Sequence, residues 1–191
     1  MSKNLLLPFV LVFGLAGLNA QAAEHYTIDT KGMHAFVTFK IKHLGYSWLQ
    51  GRFNRFSGEF VYDETNPSAN KVKVDIDIKS IDSNNAERDK HLRSERFFDT
   101  DKYPKAGFVS TAWEDKGNGK AILKGKFTLR GVTKDISIDV NQVGGGKDPW
   151  GGYRNGYEGV AQFNTSHFGM QYPKAASMDV YLTFVVEGIR E

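Results

Sequence analysis

Period-two alternation dominates this chain from about residue 33 onward. In Val72-Lys73-Val74-Asp75-Ile76-Asp77-Ile78-Lys79 aliphatic and charged side chains take strict turns. Successive side chains of a strand point to opposite faces, so this segment predicts a strand with one apolar and one wet face. The same reading groups Ala35, Val37, Phe39 and Ile41 between Met33 and His43, then Phe56, Gly58, Phe60 and Tyr62. It groups Leu123, Gly125, Phe127 and Leu129, then Ile136, Ile138 and Val140, and last Val180, Leu182, Phe184 and Val186. Strands are also predicted over Trp48 to Phe53, Lys105 to Glu114 and Gly152 to Asn164, where small, aromatic and polar residues mix on both faces. Turn chemistry separates the runs: Asn66-Pro67-Ser68-Ala69-Asn70, Asp115-Lys116-Gly117-Asn118-Gly119 and Arg130-Gly131 point to antiparallel hairpins. Gly144-Gly145-Gly146 and Gly151-Gly152 predict a flexible glycine-rich loop.

About eight strands with apolar faces throughout suggest a closed up-and-down barrel or a sandwich, the two ways of avoiding exposed sheet edges. Runs of about eight to ten residues suit tilted barrel strands and favour the barrel. One segment departs from the pattern. Asn84 to Ser94 is charged and non-alternating, and Asn84 with Glu87 three residues on reads as a capping box opening a short helix. Asp89 and Arg93, like Glu87 and His91, stand four apart, which suits either a salt-bridged surface helix closing a barrel end or a polar lid.

Composition narrows the class. Of 191 residues, 40% are hydrophobic, 25% charged and 13% aromatic, a globular balance. The net charge is +3, and no basic block is long enough to follow a phosphate backbone, so no nucleic-acid partner is expected. The absence of cysteine removes disulfides, thiol nucleophiles and thiolate metal sites. The amino terminus reads as a secretory signal peptide: Lys3 precedes an apolar stretch from Leu5 to Leu18, and Ala20-Gln21-Ala22 offers small residues at the cleavage positions. Cleavage after Ala22 leaves residues 23–191 as one domain, expected in the periplasm.

Candidate chemistry is sparse. Glu87 and His91 give two ligands on one helix face where a metal needs three or four, so no metal site is predicted. Ser57 and Ser110 lack a nucleophile elbow. Glu59, Asp75, Asp77, Glu114, Asp139 and Glu158 fall opposite the apolar faces, where solvated charge accounts for them better than paired glycosidic carboxylates. Small residues at interior positions, Ala35, Gly58, Gly125, Gly159 and Ala161, are expected to leave room between Phe39, Phe60, Phe127 and Phe163. A barrel of about eight strands is near the size at which one ligand fits inside.

Several strings resemble a known family: His43-Leu44-Gly45-Tyr46-Ser47-Trp48, Asn84 to Ser94, Tyr103-Pro104, Gly125 to Lys134 and Asp148-Pro149-Trp150-Gly151-Gly152. Their order and spacing from about Tyr26 to Gly188 resemble the YceI-like family of periplasmic polyisoprenoid-binding proteins. The resemblance implies a lipocalin-like antiparallel barrel, with about eight strands and one short helix, that carries or sequesters a long isoprenoid, a quinone or its precursor, or a similar amphiphile. The ligand would lie against Val37, Phe39, Ile41, Trp48, Phe53, Phe60, Val74, Ile76, Phe108, Leu123, Phe127, Ile138, Phe163, Leu182 and Phe184. Arg88, His91 and Arg93 would meet a polar head or seal the lid. The expected partner is a lipophilic small molecule, with transient contact to a membrane surface. No catalytic residue or catalytic cofactor is implied; a lipid-modifying enzyme on the same fold and a packed structural envelope protein are the alternatives.

Overall fold

The computed structural model describes residues 23–170 and 178–191; the signal peptide read in residues 1–22 lies outside them. The order of elements is β1 (Glu24–Ile28), β2 (Phe36–His43), β3 (Ser47–Phe53), β4 (Phe56–Tyr62), β5 (Lys71–Asp77), β6 (Ile81–Asp82), α1 (Ala86–Arg93), β7 (Lys105–Gly117), β8 (Lys120–Leu129), β9 (Val132–Lys147), β10 (Tyr153–Asn164) and β11 (Asp179–Arg190). All pairings are antiparallel, and β1 against β11 closes the ring.

Register shows how these strands make an eight-stave barrel. On one edge of β11, Val180 to Val185 pair with β2 and Gly188 to Arg190 pair with β1. Strands β1 and β2 are therefore two halves of one stave. Strand β3 pairs with β2 while β4 pairs with β1, and β6 pairs with β3 while β5 pairs with β4. Each stave thus neighbours the next in sequence, the up-and-down order that the hairpin turns predicted. The breaks keep their backbone groups satisfied, as buried amides require. At Asn54-Arg55 and Ile78–Ser80 the buried Ser80 hydroxyl donates to the Asp77 carbonyl (2.6 Å) and accepts from the Arg55 amide (2.9 Å), while the Asn54 amide donates to the Ser80 carbonyl (3.1 Å).

The interior faces carry the alternating positions: Val74, Ile76, Leu123, Phe127, Ile138, Leu182 and Phe184 are all buried. Differences from the sequence reading fall at ends and glycines. Strand β5 stops at Asp77 because Ile78–Ser80 form a 3-10 turn. Gly144 to Gly146 lie inside β9, and the turn is Asp148 to Gly152, whose backbone N–H groups at Trp150 and Gly152 donate to the Asp148 carboxylate. The helix cap is Asn85, whose side chain accepts from the Arg88 amide, and Asn84 has a left-handed backbone (φ 62°). Gly58 and Gly125 leave no room: a Cβ on Gly58 would lie 2.7 Å from Ile28 Cδ1, and one on Gly125 2.4 Å from the Phe108 ring. Neighbouring side chains already occupy the space that the missing Cβ atoms vacate.

The barrel end remote from α1 is packed with rings. Tyr26 stacks on Phe60 (4.7 Å between centroids), and Tyr157 meets Phe60 and Trp113 edge-on. Outside this plug, Arg154 binds Asp29 and Asp148 at 2.9 and 3.0 Å and also pairs with Glu187. Asp29, His34 and Glu187 bring ligand-type atoms within 4.8 Å of one another, but Arg154 supplies the positive charge there. Its hydrogen bond is the first cause that lowers the Asp29 carboxyl from 3.8 to about 2, with the Gly32 amide next. A depressed carboxyl contributes stability above its unfolded value, and that contribution is lost as pH falls through about 2. Asp29→Asn is therefore expected to cost about 2 kcal/mol at neutral pH. In urea titrations the two proteins should converge on acidification below about pH 4; a gap that stays constant would refute the assignment.

Candidate functional site

At the α1 end the interior is hollow. A cavity of about 360 Å³ is walled by side chains from seven of the staves and roofed by α1 and the segment after it. The helix is held in place by Ser83. The buried Asp89 carboxylate accepts from the Ser83 amide (2.9 Å) and hydroxyl (2.5 Å), and Arg88 donates to the Ser83 hydroxyl and carbonyl. Asp89 thus points into the fold instead of pairing with Arg93 on the surface. His91 stands edge-on to Phe97 (4.8 Å), and Phe98 meets Phe53. The end of β2 and the turn after it add Lys42, His43 and Leu44 to the lining.

A second cavity of about 70 Å³ lies further along the barrel. Successive inward positions step from one chamber to the other: Ile76 then Val74 on β5, Ala106 then Phe108 on β7, Leu182 then Phe184 on β11. Val37 and Ala161 line neither chamber and are completely buried. With the Phe108 ring lying over Gly125, they form a partition.

The fifteen apolar positions singled out in the sequence divide accordingly. Phe39, Ile41, Phe53, Ile76, Phe127, Phe163 and Leu182 line the larger chamber; Phe60, Val74, Phe108, Leu123, Ile138 and Phe184 line the smaller; Val37 is in the partition. Trp48 is on the outside, 44% exposed against Tyr181 and Lys40. Parity explains this correction, because Trp48 and Phe53 are five apart on one strand and cannot share a face. Arg88 and His91 line the larger chamber, whereas Arg93 donates to the carbonyls of Ile81 and Lys79 and ties the helix to the wall. Sequence reasoning missed Leu49, which shares parity with Phe53, and Ala106. It also missed Leu92, Phe97 and Phe98 in the roof, where no period marks them.

The chemistry of the larger chamber is one-sided. Its walls are aliphatic and aromatic, and its titratable lining residues are Lys42, His43, Arg88 and His91, with no carboxylate among the described lining residues. Such a site holds an apolar chain by burial and presents cations and N–H donors to an electron-rich head.

Residues 26–188 match the model of the YceI-like domain. A UPF0312 protein of Shewanella sp. (strain MR-7) is 51% identical, and one of Shewanella putrefaciens (strain CN-32 / ATCC BAA-453) is 50% identical, each over the full length of both chains. Among solved structures, the YceI protein of Campylobacter jejuni is 30% identical with a TM-score of 0.72, covering 78% of this chain and 90% of that one. BcnA of Burkholderia cenocepacia superposes with a TM-score of 0.75 at 21% identity, covering 84% of this chain and 98% of that one. A polyisoprenoid binding domain from Saccharophagus degradans superposes with a TM-score of 0.61 at 14% identity, over 87% of this chain and 98% of the domain.

Proposed function

This chain belongs to the YceI-like family, and from that premise we propose that it is a periplasmic carrier, not an enzyme, for a long-chain isoprenoid or similar amphiphile. The observation that carries the reading is the apolar chamber of about 360 Å³ under α1, within the roughly 300–1,000 Å³ usual for small-molecule sites. The polyisoprenoid binding domain of Saccharophagus degradans supports an isoprenoid as the chain. The sequence features of a signal peptide support the periplasm as the compartment.

Binding in such a site is driven by burial at about 0.8 kcal/mol per methylene, less the cost of ordering the chain. Selectivity along the chain is correspondingly loose. Discrimination falls to the head, which Arg88, His91 and His43 would meet through quinone carbonyls, a hydroxyl or a phosphate. Arg88 is already oriented by Ser83, so its contact needs little further ordering. The hollow chamber speaks against a packed structural barrel.

Native mass spectrometry of protein purified from its own periplasm, followed by lipid extraction, tests the proposal. A stoichiometric long-chain amphiphile is expected. Protein that is empty when isolated, and stays empty after incubation with polyprenyl quinones and polyprenyl phosphates, would refute it. Turnover of the bound molecule would move the reading to a lipid-modifying enzyme.

A further inference from the structure

The β2–β3 hairpin contributes His43 and Leu44 to the lining of the larger chamber, and its tip carries an unusual set of side chains. Leu44 and Tyr46 are 44% and 87% exposed, and Trp48 follows on the outer face. Leu44 and Gly45 take positive φ values of 52° and 82°, and the Tyr46 amide donates to the His43 carbonyl (3.0 Å), closing a two-residue turn. Leucine adopts that backbone conformation only at a cost, and here it occupies the tip. Beside the apolar group lie cations: Lys40 and Lys42 place their ammonium groups 5.0 and 5.8 Å from the Trp48 ring, and His43 is at the base of the turn.

Charge across the hairpin is of one sign. From Phe36 to Gly58 the chain holds Lys40, Lys42, Arg52 and Arg55 and no carboxylate. Arg52 and Arg55 are matched by Asp82 and Asp77 from the neighbouring stave. Among the described residues Lys40, Lys42 and His43 have no such partner. By contrast, the cation beside the exposed Trp150 is the Arg154 guanidinium, 5.3 Å from its ring and itself bound by carboxylates.

We propose that the tip of the β2–β3 hairpin docks on an anionic phospholipid bilayer and thereby brings the end of the chamber lined by His43 and Leu44 to the membrane surface. This rests on the carrier reading. Aromatic side chains settle at the headgroup level with their polar edges wet, and lysines within a Debye length are drawn to anionic lipid. His43 and Leu44 belong both to the docking tip and to the chamber lining. A chain leaving the bilayer there would pass from lipid to the apolar lining without crossing bulk water.

The test is co-sedimentation of the mature protein with vesicles of phosphatidylcholine alone or mixed with phosphatidylglycerol. Cavity occupancy is read separately, in vesicle-free solution, with a dansyl-labelled undecanoic acid. Binding is expected only to the mixed vesicles, and it should fall as salt shortens the Debye length toward about 3 Å at 1 M. The double variant Tyr46→Asp/Lys40→Glu, whose positions do not line the chamber, is expected to lose vesicle affinity on the order of tenfold while binding the probe as wild type does. In protein keeping Trp48 alone (Trp113→Phe, Trp150→Phe), emission should shift to the blue on the mixed vesicles. Absent vesicle binding, or binding that the double variant retains, would overturn docking even if the probe binds. Vesicle binding without probe binding would sustain docking and remove the carrier reading. A dimer that the double variant dissociates, with no vesicle binding, would assign the tip to a second copy of this chain and overturn the proposal.

Discussion

An Ala106→Phe variant is expected to bind a long-chain amphiphile about fiftyfold more weakly than wild type while unfolding at the same temperature or above. Ala106 is buried on β7, pairs with Ile76 and lines the larger chamber. A phenyl ring added there enters empty space, so the strain that accompanies overpacking of a filled core does not arise. The ring would take the room of some ligand methylenes. Excluding about three of them at 0.8 kcal/mol each removes about 2.4 kcal/mol of binding, which is the fiftyfold loss stated. Titration of a fluorescent long-chain probe together with thermal unfolding checks both halves. Wild-type affinity in a folded variant would show that the ligand lies elsewhere. Should the ring lower the unfolding temperature, Ala106→Leu fills less of the chamber and keeps the comparison usable.

That prediction depends on the contrast between the two ends of the barrel. At one end Tyr26, Phe60, Tyr157 and Trp113 fill the interior, and burial raises the hydroxyl pKa of Tyr26 and Tyr157, so neither ring carries charge at neutral pH. At the other end the staves surround a roof made from a polar helix, and the space between wall and roof stays open. The walls of the barrel were legible in the sequence because each stave separates an apolar interior from a polar exterior, and alternation is the direct signature of that separation. Val74, Ile76, Phe127 and Leu182 follow from it. The roof was not legible: α1 carries little apolar surface, and Leu92, Phe97 and Phe98 contribute to the chamber through a helix turn and a loop that obey no strand period. Trp48 shows the reverse error, since the parity that excludes it was present in the sequence. The glycines were read as open space, whereas Gly125 is the floor on which the Phe108 ring rests. No local pattern specifies a contact between residues seventeen positions apart on neighbouring strands.

Phe108 consequently sets how far a bound chain penetrates, and its removal has the largest expected effect on stability. The ring is 1% exposed and covers Gly125 between the two chambers. Phe108→Ala deletes a buried aromatic side chain and leaves a hole that the glycine cannot fill, at an expected cost of 3–5 kcal/mol, roughly. The same deletion opens the partition toward the smaller chamber of about 70 Å³, so the variant should gain affinity for longer chains relative to shorter ones. Each additional methylene admitted is worth about 0.8 kcal/mol, or about fourfold. Urea unfolding measures the first effect, and a homologous series of labelled chains measures the second. If the variant does not fold, Phe108→Leu removes less volume and tests the same partition. An unchanged chain-length profile in a folded variant would mean that the partition does not limit the ligand, and the floor of the site would then lie at Val37 and Ala161, which close the barrel at the same level.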